Sequence, residues 1–284
     1  MSDPKVSVLT PIYNTDECHL RQCIESVLGQ TFRDFEFIIL NDSPDNTHLD
    51  EIVASYDDKR IRYIKNESNI GISASRNKLL GLARGEYLAV FDHDDVCVPD
   101  RLALQTAFLD ENPAVGVVSG LLQVFSARGD ECILDAPEYD TDIKIMMTRD
   151  CCVAHSAAMI RKSVLTANNI WYEAYYTPAE DYRLWARLMA CTHFYNIQRV
   201  LVRYRDHDNR TSICRHTQMT RAHDAIALEL QNLYPAYWRA MRRADNANIT
   251  VFRLRLFGRI PLLKIKNNRV LLFECIPVFR ILWR

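Results

Sequence analysis

Val90-Phe91-Asp92-His93-Asp94-Asp95 runs an apolar strand straight into three carboxylates within four positions. Asp-x-Asp at a strand end is a place where a hard divalent cation and a diphosphate can meet. Mg²⁺ and Mn²⁺ prefer carboxylate oxygens and water, and they complete their shells with phosphate oxygens. Carboxylates alone would repel a diphosphate, so the cluster does this chemistry only with an ion between them. The same residues also suit an ordinary Asp-rich turn. A second acidic pair, Glu180-Asp181, follows Pro178 and precedes Leu184, Trp185 and Leu188, which fall on one face of a helix. Acids at a helix start are favoured by the dipole alone.

The elements that must deliver these residues alternate in type. Strand patterns cover Val6 to Thr10, ended by Pro11, then Phe35 to Leu40, Ile61 to Ile64 and Tyr87 to Phe91. Helical spacing covers Leu20 to Leu28, Leu49 to Tyr56 and Gly71 to Leu82. Alternation of this kind implies right-handed crossovers and a parallel sheet with helices on both faces. Ligands of such sheets sit beyond the carboxyl ends of the strands, where Asn14, Asp42 and Asp92 to Asp95 fall. Further strands are expected at Val115 to Leu122 and Ala157 to Ile160, and a helical region at His216 to Arg243. No G-x-G-x-x-G follows the first strand and no G-x-x-x-x-G-K-[ST] occurs, so the dinucleotide and P-loop folds are set aside.

The 284 residues, 48% hydrophobic and 25% charged, have an ordinary globular composition. The start, Met1-Ser-Asp-Pro-Lys5, lacks a signal-peptide core, and no apolar run reaches membrane-spanning length, which points to the cytoplasm. Nine cysteines without a C-x-x-C pair signal neither zinc nor a disulfide framework and read as small buried hydrophobes. The net charge of −1 hides a split: residues 249–284 hold eight Lys/Arg against Glu274, a net +7, which leaves −8 on the rest.

Taken in order, Pro11-Ile-Tyr13-Asn14, Ile39-Leu-Asn-Asp42-Ser-Pro-Asp45, Asn69-Ile-Gly71-Ile-Ser-Ala-Ser-Arg76-Asn77, Asp92-His-Asp94-Asp95 and Glu180-Asp181 resemble the motif series of the inverting GT-A glycosyltransferases of family 2. The resemblance implies an α/β GT-A fold, a Rossmann-like, mostly parallel sheet flanked by helices, with a C-terminal helical and basic extension. It implies transfer of a hexosyl or N-acetylhexosaminyl group from a nucleotide sugar, expected to be a UDP-sugar, in surface-polysaccharide or lipooligosaccharide synthesis, with Mn²⁺ or Mg²⁺ as cofactor. Pro11, Tyr13 and Asn14 would lie against base and ribose, and Asp42 would accept from the uracil imide. Arg76 would reach the nucleotide or its phosphates, and Asp92 would hold ribose or sugar hydroxyls. Asp94 would bind the metal, with Asp95 behind it or capping the helix that begins near Pro99. Asp181 would be the general base, taking the proton of the acceptor hydroxyl, and Glu180 would orient the acceptor or support the donor. Tyr204-Arg-Asp-His207 resembles a late segment of the family, in which His207 would complete the metal shell or touch the diphosphate. The departure is Asn-Asp-Ser-Pro-Asp in the second motif, where many relatives carry Asp-Asp-Gly-Ser-Thr-Asp.

The expected organisation is a nucleotide-sugar half at 1–115, an acceptor half of the same domain at 116–215, a helical segment at 216–248 that packs over the acceptor side, and a basic apolar tail at 249–284. In that tail Phe257-Gly-Arg-Ile-Pro-Leu-Leu is echoed by Phe273-Glu-Cys-Ile-Pro-Val-Phe, two copies of one short unit. Basic segments bearing aromatics can lie in an anionic membrane interface; a hairpin folded on the core or a subunit contact is the other reading. The expected partners are therefore a glycan or lipid-linked glycan acceptor, the inner face of the cytoplasmic membrane and a second copy in a homo-oligomer, but no nucleic acid, because the body is acidic. A sugar-phosphate nucleotidyltransferase would want a glycine- and arginine-rich loop where Thr10-Pro-Ile-Tyr-Asn14 stands. A silent glycan-binding scaffold would not need Asp94 and Asp181 together.

Overall fold

The computed structural model describes residues 3–126, 129, 131–207, 214–246, 249–256, 260–266, 269–272 and 276–280. The first half reads β1 (Val6–Ile12), α1 (Glu17–Leu28), β2 (Phe35–Asn41), α2 (Thr47–Ala54), β3 (Ile61–Lys65), α3 (Ile72–Leu82) and β4 (Tyr87–Val90). Then come β5 (Val96–Cys97), α4 (Arg101–Glu111), β6 (Val115–Ser126), β7 (Glu131–Leu134), α5 (Asp140–Met147), β8 (Met159–Arg161), α6 (Lys162–Asn168), α7 (Glu180–Leu188), β9 (His193–Asp206), α8 (His216–Leu233) and α9 (Pro235–Asn246). The helical region expected at His216 to Arg243 is thus two helices, and Pro235 opens the second, where its missing N–H costs nothing.

Strands of both halves share one sheet, in the order β3-β2-β1-β4-β8-β6-β9-β5, with β7 paired to β6. β1 to β4 are parallel, whereas β8 runs antiparallel to both β4 and β6. The sheet is therefore mixed: β1 to β4 form the parallel part expected, and β6 and β9 are a second parallel pair.

Apolar side chains of successive strand residues enter opposite cores, because both faces are covered. Phe35, Phe37 and Ile39 of β2 pack with Leu20, Ile24, Ile52 and Leu102 from α1, α2 and α4. Ile38 and Leu40 pack instead with Leu79, Ile143, Trp185 and Ile226 from α3, α5, α7 and α8.

β1 does not stop at Pro11 but continues through it to Ile12, and Pro11 is buried. Its pairing with β4 ends at Leu9 opposite Val90, while Ile12 still accepts from the Asp42 amide on the β2 side. Alternation turns the Pro11 nitrogen toward the β4 side, where the ladder has already ended, so no hydrogen bond is lost.

In the tail, β10 (Ile249–Leu256), β11 (Ile260–Lys266), β12 (Arg269–Leu272) and β13 (Ile276–Arg280) form a second sheet, an antiparallel meander in which each strand pairs with the next. Each Ile-Pro of the repeat opens the second strand of its hairpin, with Pro261 opposite Arg255 and Pro277 opposite Leu271. Among the described residues no helix is long and apolar enough to cross a membrane. The cysteines depart from expectation: of the eight described, only Cys23 and Cys97 are buried, and Cys18, Cys132, Cys191 and Cys214 are exposed.

Candidate active site

Three strand ends and one helix start converge. The turn after β4 carries Asp92 to Asp95, and β9, the long strand that runs back past β5, ends beside it. The Arg205 amide donates to Asp95 Oδ1 at 2.9 Å, and its guanidinium donates to the Asp94 carbonyl at 2.8 Å. This two-point clasp places His207 Nε2 at 2.9 Å from Asp94 Oδ2, so two residues 113 apart in sequence form one oxygen-nitrogen pair. Both side chains are partly exposed. The His19 ring approaches the His207 ring to 5.6 Å from the first turn of α1, which Asp16 caps through the Cys18 and His19 amides.

Asp95 is completely buried and sits behind this pair. Burial, with Asp94 and Asp92 adding repulsion, pushes its carboxyl well above the usual carboxylate range. It does not cap the following helix: the residue before α4 is Asp100, whose side chain makes no cap bond either. His93 points away with a buried Nδ1 that has no protein partner, and joins no described ligand set.

Arg76 is bound into the protein on two sides. Its side chain is only 12% exposed, with Nη1 at 2.6 Å from Glu180 Oε1 and Nη2 at 2.9 Å from Asp92 Oδ1. Each terminal nitrogen thus donates to a carboxylate, and the residue lies in the second turn of α3, not among its free N-terminal amides. The guanidinium lies 5.6 Å from the centre of the Tyr172 ring. Tyr172 is held on α3 by a reciprocal pair with Asn77, at 2.8 and 2.9 Å, and its hydroxyl meets His155 Nε2 at 2.9 Å. His155 Nδ1 in turn is 3.7 Å from Asp92 Oδ2. Burial alone would raise Asp92, but Arg76 and His155 hold it far below the usual carboxylate range.

Glu180 and Asp181 open α7, whose Leu184, Trp185 and Leu188 are fully buried; each such side chain stabilises the anchored helix by roughly 2 kcal/mol. The two acids have opposite environments. Glu180 is 5% exposed and tied to Arg76 through Oε1, while its buried Oε2 has no protein partner among the described residues. Asp181 is partly exposed, with Oδ1 accepting from the Tyr182 amide at 2.7 Å and Oδ2 without a protein partner among the described residues. Glu180, Arg76 and Asp92 therefore form a bridge from the start of α7 to the acidic turn after β4.

The base side is built differently from expectation. Asp42 is 4% exposed and accepts from Asn66 Nδ2 at 2.7 Å and from the Ile70 and Gly71 amides at 2.9 Å each. Three of about four acceptor positions on a carboxylate are thereby filled. Asp42 laces the loop before α3, including Gly71 at φ +82°, and keeps about one acceptor position unfilled. Pro11, inside β1, is not part of an open loop. Tyr13 is 54% exposed, and Asn14, at φ +45°, accepts the left-handed backbone that asparagine tolerates, its amide donating to Ser43 Oγ at 2.7 Å.

Arg205, His155, Tyr172 and His19 were not singled out from sequence. Arg205 lay within the Tyr204-to-His207 segment, and its position two residues before His207 is the signal that could have found it. Nothing in local spacing joins His155 or Tyr172 to Asp92.

Solved structures give the fold, which is GT-A. The chain is similar to S. aureus TarS residues 1–349 in complex with UDP-GlcNAc, with TM-score 0.60 and 19% identity over 83% of this chain and 74% of that one. It is equally similar to the mannosyltransferase PcManGT from Pyrobaculum calidifontis in complex with GDP-Man and Mn²⁺, with TM-score 0.60 and 16% identity over 86% and 76%. The family model for glycosyl transferase family 2 matches residues 7–167, more than half of the chain, and the chain belongs to that family. Among curated relatives, an uncharacterized glycosyltransferase of Methanocaldococcus jannaschii is 34% identical over 72% of each chain. The putative glycosyltransferase EpsE of Bacillus subtilis is 33% identical over 72% of this chain and 74% of its own, and the amylovoran biosynthesis glycosyltransferase AmsE of Erwinia amylovora is 27% identical over 70% and 75%. The protein is a family 2 glycosyltransferase.

Proposed function

We propose that the enzyme moves a hexosyl or N-acetylhexosaminyl group from a UDP-sugar to a hydroxyl of a growing surface glycan, with inversion at the anomeric carbon. The observation that carries this reading is the Asp92–Arg76–Glu180 bridge, which sets Asp181 and the Asp94–His207 pair in one site. Asp181 takes the acceptor proton as that oxygen forms its bond to the anomeric carbon, and the bond to the nucleoside diphosphate breaks on the opposite face. UDP is favoured over GDP by the TarS likeness and by the motif series, and a polysaccharide acceptor by the naming of AmsE.

Asp94 and His207 fit a divalent ion: a carboxylate oxygen and an imidazole nitrogen 2.9 Å apart share one proton that an ion would replace. No group of three or more such donors occurs among the described residues, so water and diphosphate would supply the rest of the shell, the usual pattern for Mg²⁺ and Mn²⁺. When bound, the ion offsets the negative charge that gathers on the departing diphosphate. The tail is read as a peripheral anchor at an anionic membrane surface.

The test is hydrolysis of a panel of UDP- and GDP-sugars by the full chain with Mn²⁺, with and without EDTA, and by Asp94→Asn. Turnover of one UDP-sugar that EDTA and Asp94→Asn both abolish is expected. Full activity in excess chelator removes the metal, and preference for a GDP-sugar removes the uridine assignment.

A further inference from the structure

Tyr175 is 90% exposed, although it stands six positions before Asp181 in a connection that is otherwise fixed. Its ring meets Tyr176 edge-on, with centres 5.2 Å apart at 84°. Tyr176 lies under the Arg183 guanidinium at 4.6 Å, and Arg183 is held by Glu173 at 3.1 Å and by Glu229 of α8 at 2.7 Å. The backbone is pinned on both sides: the Tyr176 amide donates to Glu173 O at 3.1 Å and the Ala179 amide to Tyr176 O at 2.6 Å. Thr177 Oγ1 and Ser73 Oγ, 2.8 Å apart, tie the connection to α3. A full aromatic face held in water by a rigid support forgoes burial that a slight turn of the loop would recover.

We propose that Tyr175 is the stacking platform for the terminal pyranose of the acceptor glycan, a reading that rests on Asp181 being the base. One face of a pyranose presents C–H groups whose positive edges suit the negative face of an aromatic ring. The reacting hydroxyl must point at Asp181, and the platform and the base belong to one supported run of chain, six positions apart in sequence. Stacking on a ring fixes the sugar plane without demanding one hydroxyl pattern; the hydroxyl pattern is then left to polar groups elsewhere.

Saturation-transfer NMR on the full chain with Mn²⁺ and UDP tests this, using the methyl β-glycosides of glucose, galactose and N-acetylglucosamine as probes. At least one probe is expected to receive saturation on the C–H protons of one face. Tyr175→Ala should weaken that probe by about tenfold, the scale of one lost stacking contact. Tyr175→Phe should keep it, because the face and not the hydroxyl binds, and Tyr139→Ala, an exposed tyrosine elsewhere, should keep it too. Unchanged UDP affinity in each variant reports an intact fold. The proposal is overturned if no probe binds the wild type, if the Ala variant binds as well as wild type, or if Phe loses the probe as fully as Ala. A shift of wild type from dimer to monomer on Tyr175→Ala, seen by light scattering, gives the face to a second copy and also overturns it. Nucleotide-sugar hydrolysis without glycoside binding removes the platform and leaves the transferase reading standing.

Discussion

A guanidinium shared between two carboxylates has no good substitute, since its planar fork reaches both at once and an ammonium is a single point. Removing the cation from a buried pair leaves uncompensated charge, which costs on the order of 3–5 kcal/mol. Arg76→Met should therefore lower the melting temperature sharply and abolish transfer. Arg76→Lys should recover part of the stability but far less of the turnover, since one of Asp92 and Glu180 is left unbridged; equal recovery of both by calorimetry and assay would make Arg76 merely a filler. Asp181→Asn belongs to the opposite category. With its carboxylate partly exposed, it should melt like wild type and bind UDP normally, yet turn over roughly two to four orders of magnitude more slowly. Normal turnover would move the base elsewhere. At this scale the sequence identified the chemistry-bearing side chains well where one strand end presents them together, as at Asp92 to Asp95. It did not indicate what Arg76 or Asp42 touch, because a long-range ion pair leaves no local spacing to read.

Among the elements, α8 is held to the turn after α5 by His223 Nε2, 2.9 Å from Asp150 Oδ1, with Asp224 at 3.8 Å and the Tyr182 ring against the imidazole. The hydrogen bond to Asp150 raises His223 above its ordinary 6.5, and the same bond lowers Asp150 below its ordinary 3.8. The histidine's contribution is complete below pH 6.5 and is lost as pH rises through its higher folded value; the aspartate's is present above 3.8 and fades as pH falls below it. The pair therefore stabilises the α5–α8 contact most between about pH 4 and 6.5, and stability should decline from there toward pH 8. His223→Gln should flatten that decline in melting temperature; an unchanged slope would assign it to other groups. Most elements of the first half were legible from alternation and helical spacing, because strands buried on both faces are apolar throughout. β1 running through Pro11 was not, since the tolerance depends on where β4 ends, and the length of β9 was hidden by its polar, half-exposed residues.

For the molecule as a whole, the tail's +7 faces a body of −8. A tail of net positive charge is drawn to an anionic surface. Each cation near such a surface contributes about 1 kcal/mol. Binding to vesicles containing phosphatidylserine should fall steeply with salt and be weak on neutral lipid, and deletion of 249–284 should release the enzyme while sparing nucleotide-sugar hydrolysis. Loss of the cooperative melting transition on deletion would make the tail part of the folded core instead. The Arg76 bridge has a consequence in time as well as in space. Asp92 lies 16 residues from Arg76 and Glu180 lies 104, so on a ribosome the second carboxylate is made long after the first. A chain stalled before residue 180 would carry the acidic turn and its cation without Glu180 or Asp181, and the guanidinium could answer only one of its two carboxylates.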